Sequence, residues 1–245
     1  MTNKYMYFIA NWKMYGGLKS LNSLHKVNKF FKTFKKKIFV KIIYCPPSTL
    51  IRPMSKKLKN TKIEVGAQNC HEHQTYGAFT GSINSLMLKN VGAKYVIIGH
   101  SENRQVGEND KLINLKIKSA LKSGLKVIFC IGETLKEKKK KITKHVLTKQ
   151  IKLGLKQIKK KKKNIIAYEP VWAIGTGLIP KSIELFKTID FIKKKMTANK
   201  VLYGGSVNSI KIKELKKITN LDGFLIGGAS QDSNKFIDII KKTFI

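Results

Sequence analysis

Residues that could carry chemistry follow several short apolar runs in this sequence. Asn11-Trp12-Lys13 follows the first run, Gly99-His100-Ser101-Glu102 follows the fourth, and Glu169 follows the sixth. A lysine, a histidine and a carboxylate could act together on one small ligand if the fold brings them to the same place. Each residue alone also has an ordinary structural explanation, since a histidine at a strand end is often only hydrogen-bonded and a glutamate often only forms a surface salt bridge.

Two glycine-rich segments follow the seventh and eighth runs and are suited to binding phosphate. They are Tyr203-Gly204-Gly205-Ser206 and Gly227-Gly228-Ala229-Ser230. Backbone N–H groups that glycines leave accessible can cradle a phosphate without a side-chain charge, and a helix N-terminus behind them strengthens such a site. Gly-Gly pairs elsewhere only mark turns, so this interpretation depends on the two segments lying together.

The elements that must position these residues are eight short strands with helices between them. Several of the apolar runs do not alternate with polar residues, as expected for parallel strands that are covered on both faces. The predicted strands are Tyr5–Ala10, Ile38–Tyr44, Ile63–Ala67, Tyr95–Ile98, Val127–Ile131, Ile165–Tyr168, Val201–Tyr203 and Phe224–Ile226.

The lengths of these units favour a closed barrel. Leu112, Leu115, Ile117 and Leu121 show the three-to-four spacing of a helix between two predicted strands. Eight strand–helix units in 245 residues give about 31 residues per unit, close to a (β/α)8 barrel of about 250 residues. We expect one (β/α)8-barrel domain over residues 1–245, with the active site at the C-terminal ends of its strands; an open doubly wound sheet is the alternative.

The charge of the chain is strongly positive but does not indicate a specific nucleic-acid partner. The net charge is +36, from 50 basic and 14 acidic residues, and only Arg52 and Arg104 are arginines. Specific recognition of bases and phosphates favours the forked guanidinium group, whereas a lysine surface attracts polyanions without reading them. The runs Lys138–Lys141 and Lys159–Lys163 are interpreted as solvated helix ends.

Other sequence features predict a soluble cytoplasmic protein without a metal. No apolar run approaches the length of a membrane span, and Met1 to Lys4 does not open a signal peptide. Cys45, Cys70 and Cys130 are far apart and odd in number, which argues against disulfides and for a reducing compartment. Cys70-His71-Glu72-His73 lacks the second, separated pair of ligands that a structural zinc site needs, and Cys130 is interpreted as a small core residue.

Taken in order, the motifs resemble those of the triosephosphate isomerase family from Asn11 to Ser230. The resemblance implies the barrel fold, a homodimer and the interconversion of dihydroxyacetone phosphate with D-glyceraldehyde 3-phosphate, a step of glycolysis and gluconeogenesis, with no cofactor or metal. The matching segments, besides those at the strand ends above, are Gly66-Ala67-Gln68-Asn69, Gly77-Ala78-Phe79-Thr80-Gly81, Cys130-Ile131-Gly132-Glu133 and the stretch from Ala167 to Gly177.

The resemblance also implies a role for each candidate residue. Glu169 is expected to be the base that removes a proton next to the carbonyl, and His100 to act as a neutral imidazole on the substrate oxygens, a role for which this family is the standard example. Lys13 is expected to stabilise the developing enediolate, with Asn11 as its polar neighbour and Glu102 as a supporting carboxylate.

A lid and a phosphate site are implied in the same way. Pro170 to Gly177 resembles the lid, in which Gly175 and Gly177 allow movement and supply N–H groups to the phosphate. Tyr203 and Ser206 resemble the residues that hold the lid shut. The expected substrate-binding residues are Asn11, Lys13, Gly175, Ser206, Gly227 and Gly228.

The chain departs from the family pattern mainly where the dimer interface is expected. Ser82 and Asn103 stand where the family usually has Glu and Arg, and Tyr15 stands where it usually has Asn. The interface is expected to use the loop from His71 to Gly81. Two other functions remain as alternatives: a different phosphate-binding barrel, such as a lyase or isomerase of amino-acid biosynthesis, and a polyanion-binding protein that has lost catalysis.

Overall fold

Eight parallel strands close into a barrel in the order in which they occur along the chain. The computed structural model describes residues 5–159, 164–196 and 200–245. The pairing of Tyr7 to Ala10 with Gly223 to Ile226 closes the sheet, which confirms the barrel and excludes the open sheet. The strands are β1 (Met6–Asn11), β2 (Val40–Cys45), β3 (Glu64–Ala67), β4 (Tyr95–Ile98), β5 (Lys126–Ile131), β6 (Ile165–Tyr168), β7 (Lys200–Tyr203) and β8 (Gly223–Ile226).

Helices follow the strands and cover the outside of the barrel. The predictions for Met1 to Lys4 and for residues 160–163 of the second lysine run lie outside the described residues. None of the helices in the described ranges is long and apolar enough to span a membrane. The helices are α1 (Leu24–Thr33), α2 (Ser48–Leu58), α3 (Ser85–Asn90), α4 (Ser101–Gln105), α5 (Asp110–Lys122), α6 (Leu135–Lys139), α7 (Thr143–Gly154), α8 (Ser182–Met196), α9 (Ile212–Leu215) and α10 (Ser233–Phe244).

The second strand begins later than its apolar run predicts. Lys37–Phe39 forms a turn of 3-10 helix, and β2 starts only at Val40. The side chain of Ile38 is 67% exposed, so this residue belongs to the turn and not to the core. The prediction from apolar residue type alone made this strand too long at its N-terminal end.

Of the four residues whose spacing indicated helix α5, only Ile117 is fully buried. Ile113, Ile117 and Ala120 are completely buried, whereas Leu115 is 43% exposed. Residues four and three apart share one face of a helix, but Leu115 is two residues from Ile117 and therefore points away from that face. The three-to-four spacing predicted the helix correctly, and the structure shows which residues of α5 form its buried face.

The core consists of two layers separated by the barrel wall. One layer fills the barrel and includes Ile9, Ile97, Ile128 and Leu202. The other layer lies between strands and helices, where Phe8 and its equivalents pack against the apolar faces of the helices. Neighbouring strand residues point to opposite sides, so one strand supplies both layers. This close-packed wall gives the strand ends fixed positions.

Every acidic side chain takes part in a local contact. All 14 acidic residues lie in the described ranges, and each has a hydrogen-bond or ion-pair partner there. Glu64 lies between Lys41 and Lys94, and the buried Asp222 lies between Lys193 and Lys200. Fourteen carboxylates cannot neutralise 50 basic groups, so most basic side chains have no acidic partner.

Candidate active site

The eight candidate site residues line one cavity of about 340 Å³ at the C-terminal ends of the strands. Side chains from the ends of β1, β4 and β6 meet there with the glycine-rich turns after β7 and β8. The barrel thus brings together residues that are more than 200 positions apart in the chain. The eight residues are Asn11, Lys13, His100, Glu169, Gly175, Ser206, Gly227 and Gly228.

Glu169 places a buried carboxylate in this cavity. Its backbone N–H donates to the carbonyl of Ile131, which continues the β5–β6 pairing, and only 2% of the residue is exposed. Its Oε2 atom accepts a hydrogen bond from the N–H of Ser101. Its Oε1 atom lies 3.2 Å from Nε2 of His100 but has no hydrogen-bond partner among the described residues. One carboxylate oxygen therefore keeps its lone pairs available.

Burial raises the pKa of Glu169. Removal from water disfavours the charged carboxylate, and the nearby His100, the N–H of Ser101 and the thiol of Cys130 offset this only partly. A carboxylate with a raised pKa is a stronger base than one in water.

Cys130 contacts Glu169, although sequence analysis interpreted it only as a core residue. It is completely buried on β5, and its interaction with Glu169 acts against the rise in the pKa of that carboxylate. Burial raises the pKa of this thiol well above its ordinary value, so it remains protonated. The alternation of β5 could have shown that Cys130 points into the barrel, but not that it reaches Glu169. Cys45 and Cys70 are also buried, and all three cysteines are free, as predicted.

The hydrogen bonds of His100 define its tautomer. His100 caps α4, and its Nδ1 atom accepts a hydrogen bond of 3.2 Å from the N–H of Glu102. An Nδ1 atom that accepts a hydrogen bond carries no proton, so the proton of the neutral ring is on Nε2. Nε2 is the ring nitrogen next to Glu169.

Lys13 is held in an unusual backbone conformation. Its φ of 55° lies in the left-handed region, which costs a residue with a side chain about 1 to 2 kcal/mol. The side chain of Asn11 accepts a hydrogen bond from the N–H of Lys13, and the side chain of Gln68 donates to its carbonyl. The ammonium group lies 2.5 Å from Oε1 of Glu102, so this carboxylate is next to Lys13, as expected. Gln68 was part of a quoted motif, but no sequence pattern indicated its contact with Lys13.

The turn after β8 is open enough for a phosphate. Gly228–Ser230 forms a short 3-10 turn, and the indole of Trp12 donates to the carbonyl of Ser230. A Cβ atom on Gly228 would meet nothing within 4 Å. The α-helix that follows starts only at Ser233 and is capped by Asp232, so its N-terminus does not directly back these glycines.

The segment Pro170–Gly177, the lid, lies against the turn after β7. The hydroxyl of Ser206 donates to the carbonyl of Ala173 at 2.7 Å and accepts a hydrogen bond from the N–H of Gly177 at 3.1 Å. Gly175 and Gly177 have φ values of 71° and 75°, which residues with side chains rarely adopt.

Tyr203 makes no hydrogen bond with the lid in this structure. Its side chain is completely buried, and its hydroxyl has no hydrogen-bond partner within the described ranges. The ring packs in the core, and its hydroxyl lies against the backbone of Gly205. Of the two residues expected to hold the lid, Ser206 alone makes the contact.

The segment Cys70 to His73 forms a stacked aromatic group. The rings of His71 and His73 each lie 4.5 Å from the ring of Phe79. No group of three potential metal ligands occurs in the part of the chain that the structure describes.

Fold and site together define a class of protein: a barrel enzyme that acts on a small phosphorylated ligand. The family model described as Triosephosphate isomerase matches residues 6–243. The chain belongs to the triosephosphate isomerase family. It is an isomerase that interconverts dihydroxyacetone phosphate and D-glyceraldehyde 3-phosphate.

Individual relatives are similar over nearly the whole chain. The triosephosphate isomerase of Thermodesulfovibrio yellowstonii is 41% identical over 244 residues, covering 96% of this chain and 98% of the relative. That of Aquifex aeolicus is 40% identical, covering 94% and 96%. The crystal structure of triosephosphate isomerase from Bartonella henselae is similar with a TM-score of 0.87 and 35% identity, over 97% of this chain and 98% of that one.

Proposed function

We propose that the isomerisation passes through an enediolate, with Glu169 as the base. Glu169 takes the proton from the carbon next to the carbonyl, and the Nε2 proton of the neutral His100 is donated to the carbonyl oxygen. The base then returns its proton to the neighbouring carbon, while His100 moves a proton between the two oxygens. The observation that carries this proposal is the free Oε1 atom of a buried carboxylate, 3.2 Å from Nε2 of His100.

Lys13 supplies the fixed positive charge for this reaction. Its ammonium lies at the mouth of the same cavity, where it stabilises the negative charge of the enediolate and attracts the phosphate. Asn11 supports it by holding the backbone of Lys13. The dianionic phosphate is bound by the N–H groups and hydroxyl of the turns, namely Gly175, Ser206, Gly227 and Gly228.

The lid protects the intermediate from water. An enediolate phosphate exposed to solvent would lose phosphate by elimination, and a dry site also strengthens every electrostatic contact. The contacts of Ser206 with Ala173 and Gly177 support this role, because they join the lid to the phosphate turn.

Residues 1–245 are proposed to form one catalytic domain that works in the cytoplasm. The barrel uses strands from both ends of the chain, so removal of either end would open it. Three free, buried cysteines support a reducing compartment. A small phosphorylated triose is the expected partner, with no specific nucleic acid, membrane or cofactor.

A homodimer is proposed through the loop from His71 to Gly81. This loop exposes large apolar groups, with Tyr76 69% and Phe79 40% accessible to solvent, next to the exposed Ser82. Apolar side chains gathered on one loop are typical of a surface that another chain covers. Ser82 and Asn103 are both small and uncharged, so neither would bury an unpaired charge at the interface. This favours a dimer that is stable without the ion pair usual in the family.

The roles are tested by changing the base and measuring glyceraldehyde 3-phosphate in a coupled assay. Glu169→Asp retracts the carboxylate by about 1 Å, which is expected to lower kcat on the order of 100-fold with little change in KM. Glu214→Asp makes the same change in an exposed glutamate and should leave kcat unchanged. Full activity in Glu169→Ala would contradict the mechanism, and an inactive wild type would revive the polyanion-binding alternative.

A further inference from the structure

Arg104 joins three elements of the fold through separate donor atoms of its guanidinium group. It lies on α4 and is one of only two arginines among the 50 basic residues of the chain. Its Nε atom donates to the carbonyl of Gly99 at 2.9 Å, and its Nη2 atom donates to the carbonyl of Cys130 at 3.3 Å. Its Nη1 atom donates to the carboxylate of Asp110, the first residue of α5, at 2.7 Å. The side chain is only 18% exposed, so one largely buried group connects β4, β5 and α5.

The two carbonyl groups that Arg104 binds follow the last pair of the β4–β5 ladder. That last pair is Ile98 with Phe129. Gly99 and Cys130 come directly after these two residues. Gly99 has a φ of 77°, and a Cβ atom on it would lie 3.1 Å from the carbonyl oxygen of Cys130 and 3.2 Å from Nη2 of Arg104. The glycine therefore leaves room for the guanidinium group, which continues the connection between the strands beyond their ladder.

These two strand ends position the acid and the base of the proposed reaction. On β4, the bound carbonyl belongs to the residue before His100, and the backbone N–H of Arg104 donates to the carbonyl of His100 itself at 3.0 Å. On β5, the next residue is Ile131, whose carbonyl accepts the N–H of Glu169 at 2.8 Å. Nε2 of His100 lies 3.2 Å from Oε1 of Glu169. A shift of one strand end against the other would change this distance.

A lysine at position 104 would not make the same connection. Arginine presents its N–H donors in a rigid planar fork, whereas lysine has a single ammonium nitrogen on a flexible chain. A lysine would keep the positive charge beside Asp110 but would have no rigid set of donors for the two carbonyl groups. Arg52, the other arginine, is exposed on α2, so it does not share the buried position of Arg104.

We propose that Arg104 is a positioning residue that sets the distance between His100 and Glu169 by joining the ends of β4 and β5. The inference rests on the proposed roles of these two residues. Among the described residues, those that line the active-site cavity do not include Arg104, so its loss should act on the chemical step and not on phosphate binding. A displacement of about 1 Å can cost on the order of 100-fold in rate, and the smaller displacement that a loosened connection permits is expected to cost about tenfold.

The test compares Arg104→Lys with Arg52→Lys in the coupled assay. Both variants keep the net charge of the chain, but only the first removes the fork between the strand ends. Arg104→Lys is expected to lower kcat about tenfold relative to the control, while KM for the triose phosphate and the dissociation constant of inorganic phosphate change less than about twofold. A role in stability alone would lower the unfolding temperature and leave kcat of the folded enzyme unchanged. Equal kcat values for the two folded variants would overturn the proposal.

Chemical rescue supplies a second measurement, which decides the question where Arg104→Lys does not fold. Added guanidinium should raise kcat of Arg104→Ala several-fold, whereas ammonium at the same non-denaturing concentration should not, because only guanidinium reproduces the fork. Arg52→Ala should respond to neither cation. Equal effects of the two cations on Arg104→Ala would overturn the proposal, as would guanidinium that raises only its unfolding temperature and not its kcat.

Failure of this proposal is distinguishable from failure of the proposed function. A large loss of kcat in Glu169→Asp together with equal kcat values for the two lysine variants would overturn only the role of Arg104. Full activity in Glu169→Ala would contradict the mechanism itself, and the positioning role of Arg104 with it.

Discussion

Gly204→Ala tests the position of the base without changing any group proposed to contact the substrate. Gly204 follows β7, and its N–H donates to the carbonyl of Tyr168. A Cβ atom built on Gly204 would lie 2.7 Å from Cγ and 3.4 Å from Oε1 of Glu169. Carbon atoms in contact are normally about 3.5 to 4.0 Å apart, so the side chain of Glu169 would have to retreat by about 1 Å.

A displacement of about 1 Å at the reacting group can cost on the order of 100-fold in rate. We therefore expect Gly204→Ala to lower kcat about 100-fold in the coupled assay, with KM changed less than about threefold because none of the groups proposed to bind the phosphate is replaced. Gly17→Ala is the matched control, because a Cβ there meets nothing within 4 Å.

A folded Gly204→Ala enzyme that keeps kcat within about threefold of the wild type would refute this reasoning. A displacement of the Glu169 carboxylate by about 1 Å should cause a much larger loss. The folded state is checked by circular dichroism and thermal unfolding. An equal loss of activity in Gly17→Ala would show that the effect is not specific to Glu169.

Three further predictions concern stability and assembly. Because the pKa of Glu169 is raised, the folded state binds a proton more tightly than the unfolded state, and stability falls as the pH rises through the range above the ordinary pKa of 4.5. Glu169→Gln should therefore unfold at a higher temperature than the wild type at pH 7, with the difference shrinking as the pH falls below that range; a lower unfolding temperature would contradict the shift. The unfolding temperature of the wild type should rise when salt shortens the Debye length from about 30 Å to about 8 Å, and a flat or falling curve would show that repulsion among the lysines is unimportant. Ser82→Glu together with Asn103→Arg should tighten the dimer in sedimentation at micromolar protein, whereas a wild type that is a fully active monomer at low and high salt would refute the dimer.

The strands and the site residues at their ends were predictable because they rest on local patterns. A parallel strand covered on both faces is apolar, so polar residues directly after such a strand are conspicuous in the sequence. Glu169 and His100 stand out for this reason. The motif order then made the family recognisable. Which apolar residues of α5 face the core was not predictable, because several lie close together in the sequence and only packing selects Ile113 over Leu115.

The contacts that tune the site were not predictable, because they join distant residues through single side chains. Gln68 reaches the carbonyl of Lys13 across 55 positions, and Cys130 reaches Glu169 from the neighbouring strand. Gly204 looked like a turn residue, but the structure shows that its missing side chain leaves room for Glu169. Such contacts leave no periodic pattern in the sequence, because they depend on how the ends of the strands converge in space.

The large excess of basic groups has a kinetic consequence. The 14 carboxylates offset only part of the charge of the 50 basic groups, so the net field around the molecule attracts anions. A triose phosphate carrying two negative charges is therefore drawn toward the molecule from many directions, and diffusional encounters become more frequent than collision alone allows. Added salt weakens this attraction over distance but hardly changes the interactions inside the buried site around Glu169. Substrate capture therefore depends on the lysine-rich surface, whereas chemical conversion depends on the buried site at the C-terminal ends of the strands.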